Sequence, residues 1–326
     1  MENEKKLNFG ERLLMFNELL LFGVLIFIAL LITIGEPKFI SILNLKNIIR
    51  DSSQILIAGI GMTMLLIAGD VDLSIGSLVA FSTVVFMDVV NKTNSFWIGL
   101  LAVLALGAFV GLVNGIVVSK FKVNALIGTI AMMMILRGSV YLYSMASIQN
   151  FHHLDIFTAF GNGYFGPFPV PVILMVILFA GFYIVINKTV FGRRLYATGG
   201  NIKAARVSGI RTSKLRIQTF VMSSTLAALS GAILCSRMNS GQPNSGNGYE
   251  LTVIAGVILG GTSLEGGKGT LIGTLLGVLI MRVINNGIIL LQWNQDLQIV
   301  FSGFVIILAV FLDNKRQAAK AKIITT

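Results

Sequence analysis

The chain has 326 residues, of which 55% are hydrophobic and only 12% are charged. A soluble globular domain carries about 25% charged residues, so this composition excludes a soluble fold. The net charge of +11 would suit a nucleic-acid-binding protein, but the basic residues lie in short loops between apolar stretches. That arrangement follows the positive-inside rule of membrane proteins instead, so no nucleic-acid partner is predicted.

Ten apolar stretches follow one another along the chain, and most are long enough to cross a hydrocarbon core of about 30 Å as helices. They cover residues 19–35, 54–69, 73–90, 96–118, 123–143, 170–187, 216–236, 250–262, 269–284 and 297–312. Because lipid offers no water to the backbone, each stretch is predicted to be helical. The sequence therefore predicts an all-α polytopic membrane protein with about ten transmembrane helices, some of them broken or short.

The basic residues predict the orientation of this domain. With the N-terminus inside, 18 of the 25 Lys and Arg residues fall in inside loops, 5 fall in outside loops and 2 fall within spans. This bias predicts that both termini are cytoplasmic. Charges within spans are costly in lipid, so Arg137, Arg282, Asp72 and Asp88 are expected to face protein or water.

Neither a disulfide nor a metal site is predicted. Cys235 is the only cysteine and lies in an apolar stretch, where it is expected to be a small packing residue. His152 and His153 are adjacent in sequence, so their side chains point in different directions in most conformations. A metal site built from this pair alone is therefore not expected.

The inside loop over residues 188–216 is the most informative polar segment. Its 29 residues carry eight basic side chains. Asn201 is a predicted N-cap, residues 202–208 are predicted to form about two helical turns, and Gly209 suits the left-handed position after a helix. So short a helix is marginal in water and needs something to pack against.

Ile202, Ala205 and Ile210 are expected to face that packing partner, while Lys203 and Arg206 face solvent or acidic groups. Two interpretations of the loop remain open. In the first, the short helix is a coupling helix that docks in a groove of a separate cytoplasmic motor. In the second, the loop is a solvated basic segment that only anchors the topology.

The chain is predicted to lack a nucleotide site of its own. The segment 266–269, Gly-Gly-Lys-Gly, looks like part of a phosphate-binding loop. The Walker pattern requires Gly six residues before the lysine and Ser or Thr directly after it, but those positions hold Thr262 and Gly269. The chain is therefore not expected to be an enzyme, and any ATP hydrolysis is expected in a partner subunit.

Three separated motifs then resemble one known family. They are Ala-Gly-Asp-Val-Asp-Leu-Ser-Ile-Gly-Ser at 68–77, Phe-Gly-Arg-Arg-Leu-Tyr-Ala-Thr-Gly-Gly-Asn at 191–201, and Gly-Tyr-Glu-Leu at 248–251 followed by the glycine-rich run 259–269. Together they resemble the permease subunits of bacterial ribose-type ABC importers, which also handle xylose, arabinose, galactose and autoinducer-2. The resemblance covers about residues 44–316, and Asp70 departs from it because the family usually has an uncharged residue there.

The segments 242–269, 285–287 and 313–315 look closest to the ribose branch of that family. The resemblance implies one permease domain over residues 1–326 of a multi-pass bacterial inner-membrane protein. It also implies a cytoplasmic ATPase that uses ATP and Mg, an extracytoplasmic sugar-binding protein, and a second permease copy in a homodimer. This chain itself would bind no cofactor. The residues implied to contact the ATPase are Gly192, Arg194, Gly200, Asn201, Ala204, Ala205, Arg206 and Gly209.

A neutral sugar needs hydrogen-bonding side chains along its pathway. Two short, acidic, glycine-containing hairpins, at 70–76 and 260–267, are expected to line the pathway or to move. Single polar residues in membrane helices more often bond a neighbouring helix, and for Asp72 a structural role and a gating role both remain open. The candidate pathway or gate residues are Asp72, Ser74, Asn114, Asn124, Glu250, Gly260, Gly261 and Asn286.

The leading hypothesis is an ABC permease that imports a monosaccharide, most closely ribose. An ion-coupled secondary sugar carrier is one alternative, and it would need a site made of buried carboxylates, for which only Asp72, Asp70 and Asp88 are available. A non-transporting membrane scaffold subunit is the other alternative. The many broken helices argue against it.

Overall fold

The computed structural model describes residues 17–149 and 154–305, together with residues 307 and 311. Helices account for most of these residues. They are α1 (Asn17–Gly35), α2 (Ile42–Ile67), α3 (Ile75–Thr93), α4 (Phe96–Ser119), α5 (Ala125–Tyr143), α6 (Asp155–Asn162), α7 (Val170–Lys188), α8 (Val190–Gly200), α9 (Ile202–Val207), α10 (Thr212–Met238), α11 (Tyr249–Leu259) and α12 (Leu271–Leu290). A 3-10 turn covers Pro37–Ile40, and α13 covers residues 297–305.

Strands are minor elements of the fold. β1 (Ile148–Gln149) pairs antiparallel with β4 (Ser240–Gly241), and β2 (Tyr164–Phe165) pairs antiparallel with β3 (Phe168–Pro169). Both pairs lie in or beside segments that the charge bias predicts to be outside.

Within the described ranges, seven helices are long and apolar enough to cross a membrane: α1, α3, α4, α5, α7, α10 and α12. They confirm the prediction of an all-α polytopic membrane protein. The other three predicted spans also fall on helices. Residues 54–69 lie largely within α2, 250–262 overlap the 11-residue α11, and 297–312 overlap α13 but end outside the described residues.

The second helix, α2, is the centre of the bundle. Every residue from Ser52 to Ala68 is buried, because α10, α12, α7 and α11 pack around it. The first helix, α1, is much less buried than α2: its large apolar side chains, such as Leu19, Phe27 and Ile34, are exposed. An apolar helix exposed in this way suits contact with lipid.

Helices α4 and α10 approach closely because glycine leaves room on one face of α4. Gly107, Gly111 and Gly115 recur every fourth residue, so they lie on one face. A Cβ atom at Gly111 would lie 2.6 Å from the Cα atom of Val221, and one at Gly115 would lie 2.8 Å from the Cα atom of Ile217. Small residues at membrane helix interfaces allow such backbone contact.

Charged and thiol side chains inside spans have the surroundings that were expected. Asp51 on α2 accepts from Arg237 at 2.5 Å and from Arg282 at 2.6 Å, so Arg282 faces protein. Cys235 is buried, which confirms its packing role. His152 and His153 lie outside the described residues, as do the basic residues of both termini. Among the residues that the structure covers, no cluster of His, Cys, Asp and Glu could hold a metal ion.

Candidate coupling segment and translocation pathway

Asp72 is the centre of a buried polar cluster between α2 and α3. Its carboxylate accepts from the backbone N–H of Ser74 at 2.8 Å, from the Ser74 hydroxyl at 2.5 Å, from Asn114 at 3.4 Å and from Ser224 at 3.3 Å. Asn114 also donates to the Ser74 hydroxyl at 3.0 Å. The cluster brings together three predicted pathway residues, and Asp72 and Ser74 are fully buried. This geometry supports the structural role for Asp72, because its carboxylate joins the loop to α4 and α10.

The loop that carries Asp72 runs along α10, from near the start of that helix toward its middle. Asp70 pairs with Arg216 near the start of α10, whereas Asp72 reaches Ser224. Those two α10 residues are about 12 Å apart along the helix axis, at 1.5 Å per residue. Irregular backbone at membrane depth is tolerated only where protein or water covers it, and here protein covers it.

Asp70, the residue that departs from the family pattern, is paired. Arg216 donates to both of its carboxylate oxygens, with an Nε–Oδ2 distance of 2.7 Å. The Asp70 side chain is 1% exposed and the Arg216 side chain 17%. The two residues are 146 positions apart in sequence, so composition and spacing could not pair them.

Removing one partner of this pair is expected to destabilise the protein strongly. Arg216→Gln leaves a buried carboxylate without its cation, a defect that typically costs about 3–5 kcal/mol. The double variant Asp70→Asn/Arg216→Gln should lose less than the single Arg216→Gln, because neither side chain is then charged. Equilibrium unfolding in mixed micelles compares the two single variants, Arg216→Gln and Asp70→Asn, with the double variant. Additive losses would show that the ion pair is not the stabilising contact.

The short helix predicted at residues 202–208 is present as α9, which ends at Val207. The Asn201 side chain caps it by accepting from the backbone N–H groups of Lys203 and Ala204, both at 3.0 Å. Gly209 follows with φ of +80°, the left-handed conformation that glycine adopts without strain. The preceding helix, α8, was not predicted, and Thr189 caps it.

Two predicted contact residues of this segment face inward. Ala205 is 4% exposed, so the prediction that it faces a separate partner is wrong: it packs within the chain itself. Gly192 is also buried, and a side chain there would overlap the carbonyl oxygen of Ile186. Because glycine has no side chain, the end of α7 and the start of α8 can lie in close contact here.

The outward surface of α9 contains an apolar residue that sequence reasoning missed. Val207 is 91% exposed at the end of the helix. Arg194, Gly200, Asn201, Ala204, Arg206 and Gly209 are exposed as well. With only six residues in α9, periodicity could not separate its inner face from its outer face.

A glycine junction, defined by Gly69, Gly199, Gly266 and Gly267, joins α8 to the core. Gly267 donates its N–H to the carbonyl oxygen of Ile67, the last residue of α2, at 2.8 Å. A Cβ atom at Gly199 would overlap that same oxygen and lie 2.6 Å from the Gly267 nitrogen. The two acidic hairpins therefore meet the predicted coupling segment at one point.

A tyrosine fixes the same junction. Tyr196 of α8 donates its hydroxyl to the carbonyl oxygen of Gly269 at 2.7 Å. Burial raises the pKa of Tyr196 above its usual value, so the hydroxyl stays protonated and remains a donor.

The remaining predicted pathway residues have mostly structural contacts. Asn286 and Asn44 exchange two amide hydrogen bonds of 2.9 Å, which join α12 to α2. Asn124 caps α5 by accepting from Leu126 at 2.9 Å. Gly260 packs against the backbone of Gly273, and Gly261 has φ of +88°.

A second irregular segment, residues 239–248, runs along α3 from the middle of that helix toward its first turn. Gln242 donates its N–H to Thr83 at 3.0 Å, in the middle of α3, and Glu250 lies against Gly76 in its first turn. The separation of those α3 residues corresponds to roughly 10 Å of depth. The glycine-rich sequence Gln-Pro-Asn-Ser-Gly-Asn-Gly signals this break between α10 and α11.

This segment forms a polar face, defined here by Arg137, Tyr141, Asn244 and Glu250. Arg137 donates to the carbonyl oxygens of Pro243 at 3.2 Å and Ser245 at 3.0 Å, and Tyr141 donates to Asn244 at 2.9 Å. Asn244 is exposed, and Tyr141 is 39% exposed. Charged groups at this depth are costly in lipid, so the polar face must meet water or another protein. Tyr141 and Asn244 were not predicted.

Comparison with known proteins identifies the family. The family model described as "Branched-chain amino acid transport system / permease component" matches residues 44–310. The chain is 41% identical over 300 residues to the ribose import permease protein RbsC of Escherichia coli (strain K12), covering 91% of this chain and 93% of that protein. It is 39% identical over 295 residues to RbsC of Bacillus subtilis (strain 168), covering 90% and 92%.

A further relative is the L-arabinose transport system permease protein AraH of Escherichia coli (strain K12), which is 38% identical over 302 residues, with 92% of each chain covered. No solved structure matches the chain significantly. The resemblance read from the three motifs is thereby confirmed. The chain belongs to the family of branched-chain amino acid transport system permease components, as a member similar to ribose import permeases.

Proposed function

We propose that this chain is the membrane permease of a bacterial inner-membrane ABC importer that brings a monosaccharide, ribose, into the cytoplasm. The identity of 41% to a ribose import permease, across nine-tenths of both chains, carries this proposal. The exposed α8–α9 segment supports it, because the permease of an ABC importer needs a docking surface for its separate ATPase.

The docking surface is centred on Val207 in this proposal. A fully exposed apolar residue on the same short helix as the exposed basic residue Lys203 suits a hydrophobic pocket with an acidic rim on an ATPase. The glycine junction then carries movement of α8 to the end of α2 and to both acidic hairpins. ATP and Mg belong to the partner, and this chain binds no cofactor.

Val207→Asp is expected to weaken binding of the ATPase at least tenfold, since a buried interface anchor typically contributes about 2 kcal/mol or more. The side chain touches little of its own chain, so membrane insertion and thermal stability should be unchanged. Val190→Asp is the matched control, because Val190 is also exposed but lies at the other end of α8. Pull-down of the ATPase by tagged permease measures binding. Equal loss in both variants would contradict docking through α9.

The polar face lines the sugar pathway in this proposal, opposite the same face of a second permease copy. Its amide, phenol, guanidinium and carboxylate groups offer donors and acceptors to sugar hydroxyls. An extracytoplasmic sugar-binding protein delivers the sugar on that side.

The contacts of the three candidate carboxylates argue against ion-coupled transport. Asp72 is saturated with hydrogen bonds, Asp70 is paired with Arg216, and Asp88 is paired with Lys92 at 2.8 Å. In the part of the chain that the structure describes, none of these three candidates is a free carboxylate for a proton or sodium ion.

Substrate choice is tested by uptake in cells. A strain without its own ribose permease, supplied with this chain in place of it, should accumulate labelled ribose. Excess unlabelled ribose should compete more strongly than arabinose, xylose or galactose. Preference for another sugar would correct the substrate, and accumulation of none of them would refute sugar transport.

A further inference from the structure

A cavity of about 420 Å³ opens at the end of the bundle that carries α9, which the charge bias predicts to be cytoplasmic. Its walls come from four places: the start of the loop after α2, the α4–α5 turn, α9 with the start of α10, and the 260–270 hairpin. A volume of several hundred Å³ suits a small organic ligand. The residues that the argument uses are Asp70, Lys122, Asn124, Arg206 and Arg216.

The charges in this cavity are unbalanced. Lys122, Arg206 and Arg216 contribute three positive charges, and Asp70 contributes one negative charge, so the wall has a net charge of +2. Asp70 neutralises Arg216. Arg206 donates through Nε to the Thr212 hydroxyl at 3.0 Å, which orients its guanidinium but leaves its charge without a counter-ion among the described residues.

The backbone conformation of Lys122 determines where this residue lies. Lys122 has φ of +59°, a left-handed conformation that is uncommon for a residue with a side chain. Asn94, Asn239 and Gln292 have the same conformation at the ends of α3, α10 and α12, so it marks a turn after a helix. The turn between α4 and α5 places Lys122 at the wall of the cavity.

The helix that follows also favours an anion. Ala125 and Leu126, the first residues of the 19-residue α5, line the cavity, and Asn124 caps that helix. The N-terminal end of a helix carries a partial positive charge and backbone N–H donors, which bind phosphate readily. Lys122, Arg206 and the N-terminal end of α5 therefore line the same cavity.

A neutral sugar does not require this charge, whereas a phosphate group is attracted by it. We propose that the cavity binds the phosphate group of a cytoplasmic phosphate ester, either a sugar phosphate or a phospholipid headgroup. Lys122 and Arg206 contact the phosphate, and the N-terminus of α5 faces it. Binding at this cavity does not depend on the proposed transport function.

Calorimetric titration of the purified chain tests this site. The chain is placed in nanodiscs of phosphatidylcholine and titrated with inorganic phosphate, ribose 5-phosphate and ribose. Both phosphates should bind with saturation, and ribose should not bind there. Lys122→Gln and Arg206→Gln should each weaken phosphate binding about tenfold, as expected for loss of a charge-assisted hydrogen bond. Lys120→Gln is the matched control, because Lys120 is exposed in the same turn but does not line the cavity.

The lipid source is distinguished by changing the disc. If phosphatidylglycerol abolishes phosphate binding, and the lipid is retained by the unmodified chain but not by Lys122→Gln, the headgroup is the occupant. If phosphate still binds in phosphatidylglycerol discs, a soluble ester is the occupant. The proposal is overturned if neither phosphate nor anionic lipid binds, or if Lys120→Gln weakens binding as much as Lys122→Gln. Equal weakening would mean a diffuse positive field, with acidic groups of a docked partner as its counterpart.

Discussion

Adding one methyl group at position 199 is expected to reduce ATP-driven uptake at least tenfold. The Cβ atom of Gly199→Ala would overlap the carbonyl oxygen of Ile67 and lie 2.6 Å from the Gly267 nitrogen. Both are backbone atoms, so no side-chain rotation relieves the clash. The variant must either lose the Gly267–Ile67 hydrogen bond or move α8, and overpacking of this kind typically costs about 1–3 kcal/mol.

The neighbouring glycine provides a matched control. Gly200 has no atom within 4 Å of the position where a Cβ atom would lie. Gly200→Ala should therefore leave the Gly267–Ile67 hydrogen bond and the packing of α8 unchanged, and it adds a better helix former at the end of α8. Uptake and thermal unfolding are measured for both variants at matched membrane levels. Normal uptake in Gly199→Ala would show that the glycine junction does not join the α8–α9 segment to the core.

Asp72→Ala is expected to destabilise the protein by about 3 kcal/mol or more, because it leaves several buried donors without an acceptor. The Ser74 N–H, the Asn114 amide and the Ser224 hydroxyl all donate to the lost carboxylate. Asp72→Asn should lose less, since one amide oxygen still accepts. Equilibrium unfolding in mixed micelles measures the change.

Asp296→Ala is the control for this measurement, because Asp296 is exposed. Its loss should change the free energy of unfolding by only about 1 kcal/mol, because Asp296 is the capping residue directly before α13. If Asp72→Ala is as stable as Asp296→Ala but uptake is lost, Asp72 acts as a gate and the structural role assigned to it is wrong.

The spans could be predicted from the sequence because lipid imposes one simple constraint, a long apolar helix. That constraint also explains the weak points of the prediction. α2 is covered by protein at every residue only from Ser52 onward, and before that Arg50 and Asp51 are half-buried, with Asp51 paired with Arg237 and Arg282. α11 is only 11 residues long, because the irregular segment 239–248 takes up part of the depth before it.

The partners of polar residues could not be predicted. Asn44 and Asn286 are 242 positions apart, and a hydropathy pattern contains no information about which helices meet. Asn286 therefore appeared to be a pathway residue although it joins two helices. The cap at Asn201 and the turn at Gly209 were predictable because both depend on local backbone chemistry. The inward direction of Ala205 depends on packing between distant segments.

Ribose uptake into proteoliposomes tests the central claim most directly. The vesicles contain this chain with an ABC ATPase and a sugar-binding protein from a ribose import system, and ATP is supplied to the ATPase. Uphill uptake that requires ATP and both partners, and that persists with a protonophore, is the predicted result. Uphill uptake by this chain alone, or uptake that collapses with the protonophore and ignores ATP, would contradict the account.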